Sequence, residues 1–253
     1  MIKIKKILKN LIPNIFFILK NNYQIYLEKK KFSNMNLKEI FKEIYVQKMW
    51  SSNVSNNEFK FYSGLGSHNS ELTNEYLDKV IIFLKSFQTK PNIVDLGCGD
   101  FIIGSKLRNF CGSYIAIDIF DELIEYNKKK YKNIKVDFRA LDITKDDLPT
   151  GDICFVRQVL QHLSNNSILN FLKLIQKKYK YLILTEHFPE DSVFTANVDK
   201  PDGADIRMLN NSAVVLTKAP FNLKVQSERI LCEVKPQSIK NFQGSLKTFL
   251  FKL

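Results

Sequence analysis

The sequence predicts a doubly wound α/β fold, with a seven-stranded, mostly parallel sheet, helices on both faces and a helical extension at the N-terminus. Short apolar runs alternate with helix-patterned segments through the middle of the chain, which is the order of repeated βαβ units. The run at 92–96 ends in a glycine-containing turn that leads into a helical pattern. The last two apolar runs, at 223–231 and 246–253, favour an antiparallel hairpin at the sheet edge.

Each remaining element is predicted from its own apolar pattern. The parallel strands are expected at 92–96, 114–119, 134–138, 152–156 and 181–185. Helices are expected at 37–50, 71–88, 104–110, 121–131 and 168–179, with a helix-like segment at 212–218. Parallel neighbours need crossover connections, so the helices between these strands are expected to cover the sheet faces.

Charge is unevenly distributed along the 253 residues. The net charge is +12, and residues 1–50, with eleven lysines and three glutamates, carry +8 of it. The rest of the chain is nearly balanced at +4, which argues against a basic, nucleic-acid-binding cleft. Four cysteines show no paired metal spacing, so we expect a reduced, cytoplasmic protein without a required metal.

Residues 1–60 are expected to form a basic helical extension, and residues 61–253 the main domain. Apolar residues between positions 2 and 20 fall on one helical stripe, which Pro13 would kink or break. One interpretation is a segment lying on the inner, anionic face of a membrane. The other, which we favour, is a helix that packs on the domain or on a partner subunit of an oligomer.

The turn at 95–100 discriminates between two classes of ligand. A dinucleotide fingerprint needs a third glycine, but Ile102 occupies that position. Asp100 is expected to cap the following helix, and with Asp95 it would repel a pyrophosphate. The bare main chain at Gly97 and Gly99 is therefore expected to hold a cationic ligand without phosphate.

The same run resembles the first motif of class I S-adenosylmethionine-dependent methyltransferases, Asp-x-Gly-x-Gly-x-Gly, except that Phe101 replaces the last glycine. The resemblance implies the Rossmann-like fold of that class, with S-adenosylmethionine as cofactor. Asp118 follows Asp95 at the spacing expected for a ribose-binding acid. By resemblance, Asp142 and the Ile143 main chain are placed against the adenine; a plain loop role for Asp142 stays open.

All three histidines lie in loops predicted to face the ligand. Methyl transfer to a hydroxyl is an in-line displacement that needs alignment and a base, and imidazole is suited to accept the proton. We expect His187 or His162 to be the base and the other to orient the substrate. Glu186 is expected to pair with a histidine or to hold acceptor hydroxyls.

A loop rich in glycine and serine at 61–68 is predicted to be a lid, and we assign its Ser67 and His68, together with Gln158, to the acceptor. Arg157 and Arg207 are two of only five arginines. A guanidinium favours phosphate or carboxylate, which suggests an anionic acceptor held by Arg207, with Arg157 beside the cofactor. A structural salt bridge to Asp202 or Asp205 is the alternative.

Four segments together resemble bacterial methyltransferases encoded with polysaccharide biosynthesis genes, in particular the pair linked to O-methyl phosphoramidate decoration of capsules. They are Tyr62-Ser63-Gly64-x-Gly66-Ser67-His68, Asp95-Leu96-Gly97-Cys98-Gly99-Asp100, Arg157-Gln158-Val159-Leu160-Gln161-His162-Leu163 and Thr185-Glu186-His187-x-Pro189. The similarity runs from about residue 37 to the end. It implies O-methylation of a small or nucleotide-linked glycan precursor, such as a phosphoramidate, in the cytoplasm.

Two other functions remain to be weighed. An NAD-dependent oxidoreductase of nucleotide sugars is disfavoured by Ile102 and by the absence of a Tyr-x-x-x-Lys pair in a fitting place. Tyr126–Lys130 has this spacing but lies too early in the fold. A non-catalytic subunit that keeps the cofactor fold is disfavoured by the intact glycine motif and the histidine-bearing loops.

Overall fold

The computed structural model describes residues 23, 26–27, 29–51, 60–190, 193–239 and 242–253. The amphipathic stripe predicted between positions 2 and 20 lies outside the described residues. The choice between a membrane surface and a packing partner for this stripe therefore stays a prediction.

A seven-stranded sheet organises the described chain, as the sequence predicts. The strands of this sheet and of a separate two-stranded pair are β1 Ile93–Leu96, β2 Tyr114–Asp118, β3 Asp137–Ala140, β4 Ile153–Arg157, β5 Tyr181–Phe188, β6 Thr195–Ala196, β7 Ser212–Ala213, β8 Ser227–Val234 and β9 Ser245–Lys252. The large sheet has the order β3-β2-β1-β4-β5-β9-β8, and β6 pairs with β7. β1 to β5 are parallel, whereas β9 runs antiparallel to both β5 and β8.

The α-helices whose bounds the structure describes are α1 Leu37–Val46, α2 Leu65–His68, α3 Ser70–Lys85, α4 Ile102–Leu107, α5 Asp121–Lys130 and α6 Asn165–Ile175. Short 3-10 turns follow at Arg108–Phe110, Leu160–His162 and Arg207–Asn210. β1 is buried along its whole length, because it lies in the middle of the parallel set with helices over both faces. The strand order reverses beside β1, and in such sheets ligands bind at this point.

The prediction of a helix-like segment at 212–218 is wrong. The chain forms β7 and then an irregular stretch, in which Val214 and Leu216 are buried. The Asn197 side chain gives the physical reason, because its amide exchanges two hydrogen bonds of 2.8 and 2.9 Å with the main chain of Val215. The side-chain amide acts there as a strand partner and competes with helical hydrogen bonds.

Other boundaries shift by a few residues. The third strand begins at Asp137 instead of 134, the strand expected at 223–231 lies at 227–234, and the helix expected at 37–50 ends at Val46. The lid segment contains one helical turn, α2, inside the predicted loop.

Helix α1 packs into the main core. Its Ile40 and Ile44 are buried in the same apolar cluster as Val94 and Leu96 of β1. An N-terminal capping box at Asn36 and Glu39 fixes the start of the helix. The predicted domain boundary at residue 60 stays a prediction. Helix α1, which precedes that boundary, packs in the same apolar cluster as the central strand.

All four cysteines are free thiols. No group of His, Cys, Asp or Glu within the described ranges has the arrangement of a metal site. None of the helices in the described part of the chain is long and apolar enough to cross a membrane.

Candidate active site

A cavity of about 290 Å³ opens at the carboxyl ends of the parallel strands. Its wall is formed by the turn after β1, the ends of β2 and β4, the lid segment, α1 and the loop after β5. Most of the residues that the sequence assigns to the site line this cavity. They are Asp95, Gly97, Gly99, Asp118, Asp142, Ile143, Arg157, Gln158, Ser67, His162 and His187. His68, Glu186 and Arg207 lie outside the lining.

The two glycines of the turn are required by both conformation and space. Gly97 has φ +82° and Gly99 has φ +56°, backbone angles that residues with a side chain rarely adopt. A Cβ at Gly97 would lie 2.3 Å from a methyl of Val159, and one at Gly99 would lie 2.3 Å from the Ser63 hydroxyl. The cavity floor is therefore bare main chain, as the motif predicts.

Phe101, which replaces the motif's last glycine, adopts the left-handed conformation that glycine favours, with φ +62°. It occupies the N-cap position of α4, so the prediction that Asp100 is the N-cap is off by one residue. Asp100 still accepts a hydrogen bond from Ile102 N at 3.3 Å. The Phe101 ring is fully buried, and a Cβ at Gly104 would lie 2.2 Å from it.

Asp100 does not face the cavity; it holds the lid. Its Oδ2 lies 2.5 Å from His68 Nε2 and accepts a 3.2 Å hydrogen bond from Ser63 N. The Asp100 N–H in turn donates to the Ser63 hydroxyl at 2.6 Å. His68, expected to contact the acceptor, is instead paired with Asp100 and stacked on Tyr62.

Two buried carboxyls line the cavity beside the glycine turn. Asp118 accepts hydrogen bonds from Gly99 N at 3.0 Å and from Phe120 N at 3.3 Å. Burial raises the pKa of Asp118 to about 6, although these N–H donors oppose the shift. Asp95 accepts a 2.9 Å hydrogen bond from the Tyr114 hydroxyl, and burial raises the pKa of Asp95 to about 7.

Asp142 and Ile143 lie in the cavity wall after β3. The Asp142 carboxylate accepts hydrogen bonds from the main-chain N–H and the hydroxyl of Thr144, at 2.9 and 2.7 Å, so it also stabilises its own turn. Both the ligand role and the loop role given to Asp142 are compatible with this placement.

Arg157 ties the lid to the end of β4. Its Nη2 donates to Gly66 O at 2.7 Å, and its Nη1 lies 3.3 Å from the Ser67 hydroxyl and 3.1 Å from Gln158 Oε1. The guanidinium also stacks over the ring of Tyr76, 4.8 Å from its centroid. Arg157, Ser67 and Gln158 thus form one network at the cavity wall.

The two cavity histidines are bridged by Gln161. Its Oε1 accepts from His187 N at 3.3 Å, which orients the amide so that its NH₂ group faces His162 Nε2 at 3.4 Å. His187 Nε2 lies 2.5 Å from Gln243 O. Burial lowers the pKa of His162 and of His187 below the ordinary value.

Glu186 and Arg207 are buried behind the cavity. Glu186 accepts hydrogen bonds from the N–H groups of Leu160 and Gln161, both at 3.0 Å, and so positions the turn that carries His162. Burial raises the pKa of Glu186 to about 8. Arg207 is 1 % exposed and donates to the carbonyls of Val198 and Leu163. Because Arg207 lies outside the cavity lining, it is not placed to contact an acceptor as predicted. The described salt bridges include none between Arg207 and Asp202 or Asp205.

The sequence analysis missed two aromatic residues of the site, Trp50 and Phe242. The Trp50 ring lies 4.9 Å from His162, and the Phe242 ring stacks on His187 at 4.6 Å. Both rings line the cavity. The one available signal was that Trp50 is the chain's only tryptophan and follows an amphipathic helix.

We compared the chain with known protein families and structures. Residues 94–180, which carry the glycine turn and the first catalytic histidine candidate, match the family model described as a methyltransferase domain. No curated protein matches the chain.

Solved structures share the fold. An S-adenosylmethionine-dependent methyltransferase from Leishmania major is 14% identical, with a TM-score of 0.57, over 88% of this chain and 89% of that one. The N-methyltransferase NodS from Bradyrhizobium japonicum WM9, in complex with S-adenosyl-L-homocysteine, is 13% identical, with a TM-score of 0.54, over 74% of this chain and 89% of that one. The predicted class I methyltransferase fold is confirmed, and the family match bears out S-adenosylmethionine as the cofactor.

Proposed function

We propose that this protein, whose residues 94–180 match the family model of a methyltransferase domain, transfers the methyl group of S-adenosylmethionine to an oxygen atom of a small molecule, with His187 as the base. The fold and the cofactor are the premise. The acceptor atom and the base are the proposal, and they rest on the geometry at the ends of β4 and β5.

The residues present fit the cofactor. The glycine turn presents main chain to the cavity, and it keeps this shape only with glycine, because a Cβ at Gly97 or Gly99 would collide with Val159 or Ser63. Asp118 can accept hydrogen bonds from the ribose hydroxyls, and Asp142 with the Ile143 main chain would hold the adenine. When bound, the cofactor supplies an electrophilic methyl carbon on a sulfonium. Asp95, buried in the same wall, disfavours a phosphate there.

One observation carries the choice of base. A carbonyl oxygen can only accept, so the contact of His187 Nε2 with Gln243 O places the proton on Nε2. Nδ1 of the neutral ring then holds the free lone pair. Burial lowers the pKa of His187, which keeps the ring neutral at pH 7 and ready to accept a proton.

His162 is better suited to orientation. Its Nε2 faces the NH₂ group of Gln161, which engages the lone pair of that nitrogen. Gln161 is itself fixed by Glu186, because the main-chain N–H of Gln161 donates to that carboxylate. With an acceptor hydroxyl aligned beside the cofactor, His187 Nδ1 would accept the hydroxyl proton, and the bound cofactor would supply the methyl group to the oxygen.

The anionic capsule precursor implied by resemblance remains a prediction. The argument from the arginines is weakened, since Arg207 is buried and bonded to main-chain carbonyls, and the Nη atoms of Arg157 are bonded to Gly66, Ser67 and Gln158. Nothing in the geometry specifically favours an oxidoreductase or a non-catalytic subunit.

The test compares the two histidines. His187→Ala is expected to lower kcat by about 10²- to 10⁴-fold, the range for loss of a general base, with the affinity for S-adenosylhomocysteine unchanged by calorimetry. His162→Ala is expected to lower it by about tenfold only, because it removes an orienting contact. Equal losses for the two variants, or no loss for His187→Ala, would contradict the assignment.

The pH profile gives an independent check. Since burial lowers the pKa of His187, the neutral base persists below the ordinary value of 6.5. The kcat/KM of the wild-type protein is expected to stay level down to pH 6.5 and to fall at more acidic pH, where the imidazole becomes protonated. An acidic limb centred above pH 7 would point to another base.

A further inference from the structure

The end of the cavity where the acceptor must lie is formed by the loops after β4 and β5. The glycine turn and Asp118 belong to β1 and β2, on one side of the point where the strand order reverses. His162 and His187 belong to the other side. With the cofactor over β1 and β2, the space beside the two histidines is left for the acceptor.

Aromatic rings form part of the wall at this acceptor end of the cavity. Trp50 lies 4.9 Å from His162 at an interplanar angle of 41°, and its Nε1 donates to Ala204 O at 3.2 Å, which fixes the indole. Phe242 is nearly parallel to His187, at 22° and 4.6 Å. Leu65 and Ile206 add apolar side chains to the lining of the cavity. Such walls favour a flat, apolar body.

Positive charge is scarce at this end. Among the described residues that line the cavity, Arg157 is the one guanidinium or ammonium group, and both its Nη atoms are bonded within the lid network. The nearest lysine of the loop, Lys200, is buried and donates from Nζ to the carbonyls of His162 and Pro201. Among the described residues of the lining, an anionic acceptor would gain Arg157 alone as a cation, and the Nη atoms of that residue are already bonded.

We propose that the acceptor is an uncharged molecule with a planar aromatic ring and a phenol-type hydroxyl, held between Trp50 and Phe242. This rests on the proposed function, and it names the class of substrate. The ring occupies the apolar slot, and the hydroxyl proton passes to His187 as the oxygen takes the methyl group. The products are an aryl methyl ether and S-adenosylhomocysteine.

Two probes that share the 4-hydroxyphenyl ring, one neutral and one charged, test the proposal. Methyl 4-hydroxybenzoate is neutral, whereas 4-hydroxybenzoate carries a carboxylate on the same ring. Each is titrated by calorimetry into the full-length protein saturated with S-adenosylhomocysteine, and Trp50 emission is followed as a second readout, since it is the only tryptophan. The ester is expected to bind at least about tenfold more tightly than the acid.

Variants locate the binding. Phe242→Ala is expected to weaken binding of the ester by about tenfold, and Phe242→Tyr to retain it. Ile82→Ala is the control, because Ile82 is exposed and does not line the cavity. Equal or tighter binding of the acid, no binding of either probe, or ester binding that Phe242→Ala leaves unchanged would overturn the proposal.

The two proposals fail separately. If S-adenosylhomocysteine binds but the ester does not, the acceptor class is wrong and the methyltransferase proposal stands. If S-adenosylhomocysteine itself gives no heat, the proposed function fails first.

Discussion

The two ends of the cavity are built in different ways. The cofactor end consists of main chain and short side chains from consecutive strand–helix turns, with Gly97, Gly99 and Asp118 held by hydrogen bonds between neighbouring strands. The acceptor end consists of large side chains from distant parts of the chain, with Trp50 after α1 and Phe242 before β9.

This difference separates the tasks of the two ends. A floor of backbone amides and left-handed glycines has little freedom to change, so it suits a constant ligand. A wall of side chains on loops can be altered one residue at a time without disturbing the sheet. We therefore expect changes at the cofactor end to abolish binding, and changes at the acceptor end to alter selectivity.

The largest effect is expected from Gly97→Val. The new side chain would have to adopt φ +82° and would collide with Val159, whose methyl lies 2.3 Å from the position of a Cβ. The affinity for S-adenosylhomocysteine is expected to fall by about 100-fold or more, as measured by calorimetry.

A matched pair sharpens this prediction. Gly97→Ala is expected to lose affinity, and Val159→Ala in the same chain to restore part of it, because the collision is removed while the strained φ remains. If Gly97→Ala binds as the wild-type protein does, the floor is not where the cofactor lies.

An intermediate effect is expected from Asp100→Asn, which tests how the two ends are coupled. Asp100 follows the glycine turn but holds the lid through His68 and Ser63, so loss of its charge should loosen closure. The dissociation rate of S-adenosylhomocysteine, followed by Trp50 emission in stopped flow, is expected to rise by about tenfold.

Glu71→Gln is the control for the lid. Glu71 lies in the first turn of α3, directly after the lid, and its carboxylate accepts an exposed hydrogen bond from the Ser238 hydroxyl. It should leave the dissociation rate unchanged. Equal acceleration by both variants would mean that Asp100 has no special link to the cofactor end.

The smallest effect is on stability. Burial raises the pKa of Glu186 to about 8 from 4.5, so the folded protein binds this proton more tightly than the unfolded chain does. The free energy of unfolding should therefore fall as pH rises toward 8, by about 1 kcal/mol per pH unit. Glu186→Gln, which mimics the neutral acid, should flatten this slope in denaturant titrations between pH 7 and 8. An unchanged slope would show that Glu186 is already ionised in the folded state.

The cofactor end was predictable because its signals are local. Asp95, Gly97 and Asp118 could be placed from one turn and one strand spacing. The acceptor end was not, because the proximity of Trp50 and Phe242 depends on the path of the whole chain. Arg207 illustrates the limit: its position in a loop suggested a ligand, whereas packing buries it against main-chain carbonyls. Likewise, 212–218 was misassigned because the competing partner, Asn197, lies in the turn after β6, well before this segment in the sequence.

The Phe101 ring occupies the volume in which a side chain at Gly104 would lie. Phe101→Gly alone would empty that volume, and Gly104→Ala alone would place a methyl against the ring. Each single substitution should therefore be harmful, and the double substitution should remove the collision while leaving a cavity where the ring was. Such a pair locks this chain into its own version of the turn, and a search that demands glycine at 101 would pass it by.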